Sequence, residues 1–431
     1  MSEPLNRVES PAPPAAPRGP LSGYRVLELG STVAGPFCAR QMADFGAEVI
    51  KVEPFEGDAI RSAARQFEGK SLYAASILRN KRLIAVDLRQ ARGRDVVRRL
   101  VPKCDVIVEN FRPGTLEKWG LGYDDLVCLR SDVVMVRISG FGQTGPYSPR
   151  PGYGVICEAA SGLRHITGDP DRPPARVAMA LTDYITGLYA AFGAVTALLH
   201  RERTGEGQIV DAALAECAFS FMEPHVPAYD KLGIVANRMG SGLAGSVPNN
   251  LYATADGGYI HIQAAQAPVF KRFIAAIGRP ELLDDERFAT VIARGRNHAE
   301  VDAFVSDWTG RHTLGEVQAA LDAADVPAMR INTIADVFAD PHFKARGMLA
   351  RTPSDELGEV TLAGPVPRLT RTPARIRHAG RRIGQDTYEV LSELGAYSNA
   401  ELKALEAERV IAGPARAARA SPAGSATSPA A

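Results

Sequence analysis

The 431-residue chain lacks most of the signatures by which a single sequence declares its chemistry. Its five cysteines, Cys38, Cys104, Cys128, Cys157 and Cys217, contain no CxxC pair and are odd in number. That argues against a disulfide framework and a zinc site, and for a reducing, cytoplasmic setting. The eight histidines include neither an i, i+4 pair nor an HExxH stretch, so no metal is expected. No GxSxG is present, and no cysteine has a neighbouring base in sequence, which removes the common Ser and Cys nucleophile signatures. Excess charge is also missing. Fifty basic residues face forty-nine acidic ones, so nothing points to nucleic acid or a membrane surface as a partner. The first twenty residues, MSEPLNRVESPAPPAAPRGP, have no apolar centre for a secretory signal, and their Pro/Ala content predicts disorder, as in the tail GPARAARASPAGSATSPAA. No solenoid repeat is visible.

The phosphate motifs are incomplete as well. In the first turn, LGSTVAGP, Gly30 and Gly35 stand G-x-x-x-x-G without the middle glycine of a dinucleotide fold and without the Lys-Ser/Thr of a P-loop. A turn leading into a helix N-terminus still suits an anion. An NAD-dependent oxidoreductase is disfavoured by the missing glycine.

What the chain does have is rhythm. YRVLELG reads as a strand, PFCARQMADFG as a helix and AEVIKVE as a second strand, and LIAVDL, DVIVEN and VVMVRIS continue the series across helical ARGRDVVRRLV and polar RPGTLEKWGLGYDDL. Strands alternating with helices predict an α/β fold with a mostly parallel, doubly wound sheet. Further on, QIVDAAL reads as a strand and ECAFSFM as helical. Residues 233–250 read as a Gly-rich loop, LYATADGGYIHIQAA as a hairpin, and 268–324 as largely helical. The expected organisation is a disordered tail over 1–21, a large domain over 22–222, a smaller α+β domain over 235–330, a return segment over 331–411 and a disordered tail over 412–431.

Two sets of residues invite a functional reading. Arg89, Asn110, Arg112 and Lys118 sit at or just after predicted strand ends, where open α/β sheets receive ligands. Asp183 heads a long apolar run over residues 179–199 that is long enough to suggest a bilayer span but, with its carboxylate, threonines and glycines, reads as a helix of a soluble protein. Ile185, Leu188, Tyr189, Phe192, Val195 and Leu199 recur at helical spacing, which predicts that this face packs inward. On local grounds alone Asp183 is an ordinary first-turn acid, favoured there by capping and the helix dipole.

Several stretches taken in order, VLELGSTVAGPFCARQMADFGAEVIKVEPFEGDAIR, NKRLIAVDLR, DVIVENFRPGTLEKWGLGYDDL, ISGFGQTGPYSPRPGYG, SGLRHITG and LTDYITGLYAAFGAVTALLHRERTGEGQIVD, resemble the class III CoA-transferases, the formyl-CoA and carnitine CoA-transferase family. The resemblance covers residues 24–215 and extends weakly to about 350. It implies a Rossmann-like large domain with a smaller α+β domain, an interlocked homodimer, and coenzyme A thioester as substrate with no tightly bound cofactor. It also makes Asp183 the nucleophile. Val33 and Ala34 would offer backbone to CoA, Arg89, Asn110 and Lys118 would lie near its polar parts, with Arg112 beside them, and Tyr153 would line the acyl region. Val33 stands where formyl-CoA transferase has a glutamine, so oxalate and formate specificity does not carry over. Tyr153 stands where the α-methylacyl-CoA racemases have a proton-transferring histidine, which speaks against the alternative of an acyl-CoA racemase or epimerase; a non-catalytic CoA-binding homologue is the other alternative. The central block is most similar to members that use succinyl-CoA and small dicarboxylic acids. For the diacid's second carboxylate, Arg61 or Arg164 are candidate cations, and the glycines of 240–245 are candidate oxyanion donors.

Overall fold

The computed structural model of the chain describes residues 19–243 and 245–413, so the predicted disordered tails lie almost wholly outside the described residues. The alternation becomes strands β1 (Arg25–Glu28), β2 (Glu48–Glu53), β3 (Lys81–Val86), β4 (Val106–Glu109), β5 (Val134–Ser139) and β6 (Ile209–Ala213). Helices α1 (Ala34–Asp44), α2 (Ala91–Leu100) and α3 (Leu181–Thr204) are among the connections. The strands lie in the order β3-β2-β1-β4-β5-β6, all parallel, and Ile411–Ala412 adds an antiparallel edge beside β3. Runs such as VMVRIS, buried along their whole length, are what a sheet covered on both faces requires. The order reverses between β1 and β4, so the loops leaving their carboxyl ends diverge and open a crevice there.

Two compact units account for the described residues. One is drawn from residues 19–153, 181–217 and 347–413; the other comprises 154–180, 218–243 and 245–346. The first contains the seven-stranded sheet, with a core of Leu27, Ile50, Ile84, Ile107 and Met135 closed by Val390, Leu391 and Leu402. In the second, the antiparallel pair Asn249–Ala253 and Tyr259–Gln263, extended by Ala328–Arg330, packs Ile260 and Ile262 with Phe273, Val301 and Leu321 of its helices. Fully buried Arg294 donates there to the carbonyls of Val247, Phe288 and Ala265, which resolves the polar cost of its burial.

Beneath the first turn of the sheet lies a buried ionic network. Lys51 Nζ donates to Glu28 Oε1 at 2.9 Å and to the Gly30 carbonyl at 2.6 Å, and pairs with Asp58 Oδ2 at 2.8 Å. Lys81 Nζ reaches Glu28 Oε2 at 2.6 Å and the Pro36 carbonyl at 2.7 Å. Burial brings the Lys81 ammonium down to about 8, only partly offset by Glu28. For Asp58 burial acts upward, but Lys51 and the amides of Ile60 and Thr32 outweigh it and hold the carboxyl at about 2.

The structure corrects two readings. The polar connection after β4 contains two short helices, Thr115–Lys118 and Tyr123–Val127. More consequentially, the apolar stripe of α3 faces the other way. Leu188, Tyr189, Phe192, Val195 and Leu199 are exposed in the single chain, whereas Thr186, Gly187, Ala190, Ala194 and Ala197 are buried. The reason is distance. A Cβ on Gly187 would sit 2.8 Å from Phe37 Cδ1 and 2.9 Å from the Ala34 carbonyl oxygen, and one on Gly193 would sit 2.6 Å from Val210 Cγ1. So close an approach to α1 and β6 selects the small-residue face and turns the large side chains outward. Among the described residues no helix is long and apolar enough to cross a membrane.

Removing one partner of a buried ion network leaves the others uncompensated. Lys51→Met is expected to lower unfolding stability by roughly 3–5 kcal/mol in denaturant titration; an unchanged unfolding midpoint would mean that the network does not hold the fold.

Candidate active site

The site begins at the carboxyl end of β1. Thr32 takes a φ of 72°, a left-handed conformation that a β-branched residue rarely adopts. Its neighbours hold it there. Asp58 Oδ1 accepts from the Thr32 amide at 2.9 Å and from Ser31 Oγ at 3.1 Å. From the end of β4, Asn110 accepts from the Ser31 amide at 2.7 Å and donates to the Ser31 carbonyl at 2.8 Å. This clamp explains the G-x-x-x-x-G spacing: a Cβ on Gly30 would lie 2.8 Å from Asn110 Oδ1, and one on Gly35 would lie 3.2 Å from Asn110 Cγ. The two glycines make room for the Asn110 side chain.

The turn delivers the chain into α1, whose N-cap is Val33 with no side-chain cap. Pro36 has no amide hydrogen, and the Phe37 amide returns to the Val33 carbonyl at 2.7 Å. The first helical N–H groups therefore keep their donor capacity, and the positive end of the dipole lies at the crevice. Directly against this end runs the first turn of α3. Gly187, one turn beyond Asp183, is the contact that permits it. Tyr184 packs edge-on against Phe37 with ring centroids 4.7 Å apart and bonds Tyr73 through their hydroxyls at 2.8 Å.

Here a cleft of about 230 Å³ opens, lined by Ser31 to Ala34, Asn110 to Pro113, Ile138 to Gly140, Arg150 to Tyr153, Asp183 and Leu214. It lies at the switch point of the strand order and outside the carboxyl ends of the strands, where ligands of open α/β sheets bind. Asp183 is in the third helical position of α3 and is not its N-cap. Burial pushes its carboxyl up to about 6, opposed only by its own backbone amide. Among the described residues no cation pairs with it, and such a desolvated, unpaired acid in a cleft is a functional-site signal.

Six of the residues singled out from the sequence line this cleft: Val33, Ala34, Asn110, Arg112, Tyr153 and Asp183. Arg89 and Lys118 do not. Arg89 is largely exposed and paired with Asp87 at 2.7 Å, and Lys118 is exposed at the end of its short helix. Arg61 is committed elsewhere, since both its Nε and Nη2 bond buried Glu53 at 2.8 Å. Arg164 and the glycines of 240–245 belong to the second unit, where the Gly240 amide bonds the Gly168 carbonyl at 2.9 Å; Ala244 lies outside the described residues. The sequence reading missed Asp58, Ser139 and Arg150. Asp58 carries a local signal, because an acid two residues before an orphan amide caps a short helix, as it does for Ile60. Arg150 carries none. It reaches the cleft because Gly140 and Gly152 meet so closely that a Cβ on Gly140 would lie 2.7 Å from Gly152 Cα, folding the intervening loop back over the end of β5. No histidine is among the cleft-lining residues, and no cluster of His, Cys, Asp and Glu among the described residues is arranged to hold a metal.

Comparison with known proteins gives a consistent result. A family model described as CoA-transferase family III matches residues 21–387. The succinyl-CoA–D-citramalate CoA-transferase of Chloroflexus aurantiacus is 44% identical over 397 residues, spanning 92% of this chain and 99% of that protein. The succinyl-CoA:glutarate CoA-transferase of Mus musculus is 35% identical over 91% of this chain and 90% of its own. A crystal structure of a CAIB/BAIF family protein from Brucella suis superposes with a TM-score of 0.78 at 36% identity, covering 88% of this chain and all of that one.

A carboxyl raised by burial is protonated more readily in the folded than in the unfolded chain, so its contribution to stability is largest at low pH and is lost as pH rises through about 6. Asp183→Asn is therefore expected to stabilise the protein at pH 7.5 by about 1–3 kcal/mol, with no such gain at pH 4. Paired thermal melts at the two pH values check this, and a destabilised variant at pH 7.5 would contradict it.

Proposed function

Because the chain belongs to CoA-transferase family III, we propose that it transfers CoA from succinyl-CoA, or a similar acyl-CoA, to a small carboxylic acid of the dicarboxylic class, with Asp183 as the nucleophile. The observation that carries this reading is the unpaired, half-buried Asp183 carboxylate in the cleft, lifted to about 6, beside the uncapped start of α1. At neutral pH such a carboxyl is still mostly ionised, and its raised basicity improves it as a nucleophile. The names of the relatives, which act on citramalate, malate and glutarate, support the dicarboxylic class.

The chemistry follows from the groups present. An Asp183 oxygen adds to the thioester carbonyl and expels CoA thiolate, leaving an acyl-aspartyl anhydride. The thiolate returns to the aspartyl carbonyl, releases the first acid and leaves an aspartyl-CoA thioester. The acceptor carboxylate attacks this carbon and frees the thiolate once more, forming a second anhydride. Attack of the thiolate on the acceptor's own carbonyl delivers the new thioester and regenerates Asp183. The first step is uphill, since a carboxyl of pKa about 6 displaces a thiol of roughly 8.5. Positioning and donors aimed at the developing oxyanion offset it. The free amides at the start of α1, Val33 and Ala34, suit that oxyanion or a CoA phosphate. Arg112, with Arg89 and Lys118 further out, supplies positive charge for CoA, and Asn110 holds the turn that presents these amides. CoA enters as substrate, and no resident cofactor is invoked.

The assembly belongs to the same proposal. The stripe Leu188, Tyr189, Phe192, Val195 and Leu199 on α3 is a row of large apolar side chains exposed in the single chain, the kind of face that supports an interface. An interlocked homodimer, with the 22–222, 235–330 and 331–411 division of each chain, would cover it.

Incubation with succinyl-CoA and labelled citramalate, malate or glutarate is expected to give the exchanged thioester, and Asp183→Ala is expected to abolish it. Full exchange by Asp183→Ala, or none by the unmodified protein with any acid, would sink the reading. In light scattering the protein is expected at twice the chain mass and Phe192→Glu as monomer or aggregate; a unit-mass protein unaffected by the substitution would rule out this interface.

A further inference from the structure

Among the described residues only three charged side chains line the cleft: Asp183, Arg112 and Arg150. Resting on the CoA-transfer reading, we propose that Arg150 is the specificity-determining residue, binding the remote carboxylate of the dicarboxylic acyl group whose thioester meets Asp183. Arg112 follows β4 in the loop that carries Asn110 and is allotted to CoA, so a second anion in the same cleft has one cation left. Arg150 is ready for it. Its guanidinium lies 3.8 Å over the ring of Tyr147, which itself packs edge-on to Phe141 at 5.8 Å. Stacking fixes the plane of the fork while leaving its edge donors open, the arrangement suited to a bidentate carboxylate. Its backbone amide bonds the Tyr147 carbonyl at 2.9 Å, so the loop is closed on itself. Neither Arg150 nor Arg112 forms an ion pair among the described residues, in contrast to Arg61, Arg137 and Arg201, whose charges are matched by carboxylates within the fold.

Size argues in the same direction. At about 230 Å³ the cleft is smaller than the roughly 300–1,000 Å³ that encloses a drug-sized ligand. It suits a short acyl chain with its neutral thioester carbon at Asp183 and its free carboxylate at Arg150. Monocarboxylic acyl groups of equal length would leave the guanidinium facing water and gain nothing from it.

The test compares succinyl-CoA with butyryl-CoA, which has the same four carbons and no second carboxylate, by calorimetric titration of the full-length Asp183→Ala protein, where no turnover intervenes. Adding Arg150→Gln is expected to weaken succinyl-CoA by about 10- to 100-fold, the range for a hydrogen-bonded charge, and to change butyryl-CoA by less than about threefold. Equal weakening of both would assign Arg150 to CoA itself and overturn the proposal, as would no change in either. Failure of Asp183→Ala alone to bind either thioester would count against the transfer reading beneath it.

Discussion

The structure depends on a buried contest of charges at the first turn of the sheet. Glu28 ends β1 between two fully buried lysines, Lys51 and Lys81, and Lys51 also grips Asp58. Buried ions are costly unless each is matched, and here each bond also fixes backbone: the Gly30 and Pro36 carbonyls through the lysines, and the Ser31–Thr32 turn through Asp58. The left-handed Thr32 and the uncapped start of α1 follow from that anchoring. A turn that relaxed would fold its amides onto itself; one held from below presents them to the cleft.

The second constraint is the approach of α3 to α1. Gly187 brings the helices close enough for Asp183 and the start of α1 to line one cleft, while water is largely removed from its carboxyl. That removal destabilises the carboxylate and makes it more basic, and in the proposed mechanism the same geometry that costs stability supplies reactivity. Small residues on the inner face leave the large apolar side chains outside, and in the proposed assembly a second chain covers them. In that proposal packing, reactivity and association all arise from one choice of helix face.

Much of the sheet was legible in the sequence, because uninterrupted runs such as VIVE and VMVRIS have few alternatives to a buried parallel strand. The orientation of α3 was not. A stripe of large apolar residues states that a helix has two faces, and only the tertiary clash at Gly187 and Gly193 decides which one is inside. By position alone Asp183 is indistinguishable from an ordinary first-turn acid; its burial, and its having no cationic partner among the described residues, are properties of the fold. Gly30 and Gly35 suggested a damaged phosphate loop, whereas their partner is Asn110, some eighty residues away. Arg150 illustrates the limit of a linear reading: it lies in a polar loop between prolines, and only the contact of Gly140 with Gly152 carries it to the cleft. Arg89 and Lys118, which stand after strands as ligand-binding residues do, do not line that cleft.

The central claim is that Asp183 carries CoA covalently during turnover. Mass spectrometry of protein quenched after mixing with succinyl-CoA addresses it directly. The account predicts a CoA thioester on the peptide containing Asp183 and on no other, discharged by addition of the acceptor acid. An unmodified Asp183 peptide in protein that exchanges CoA at full rate, or an adduct at a different residue, would contradict it.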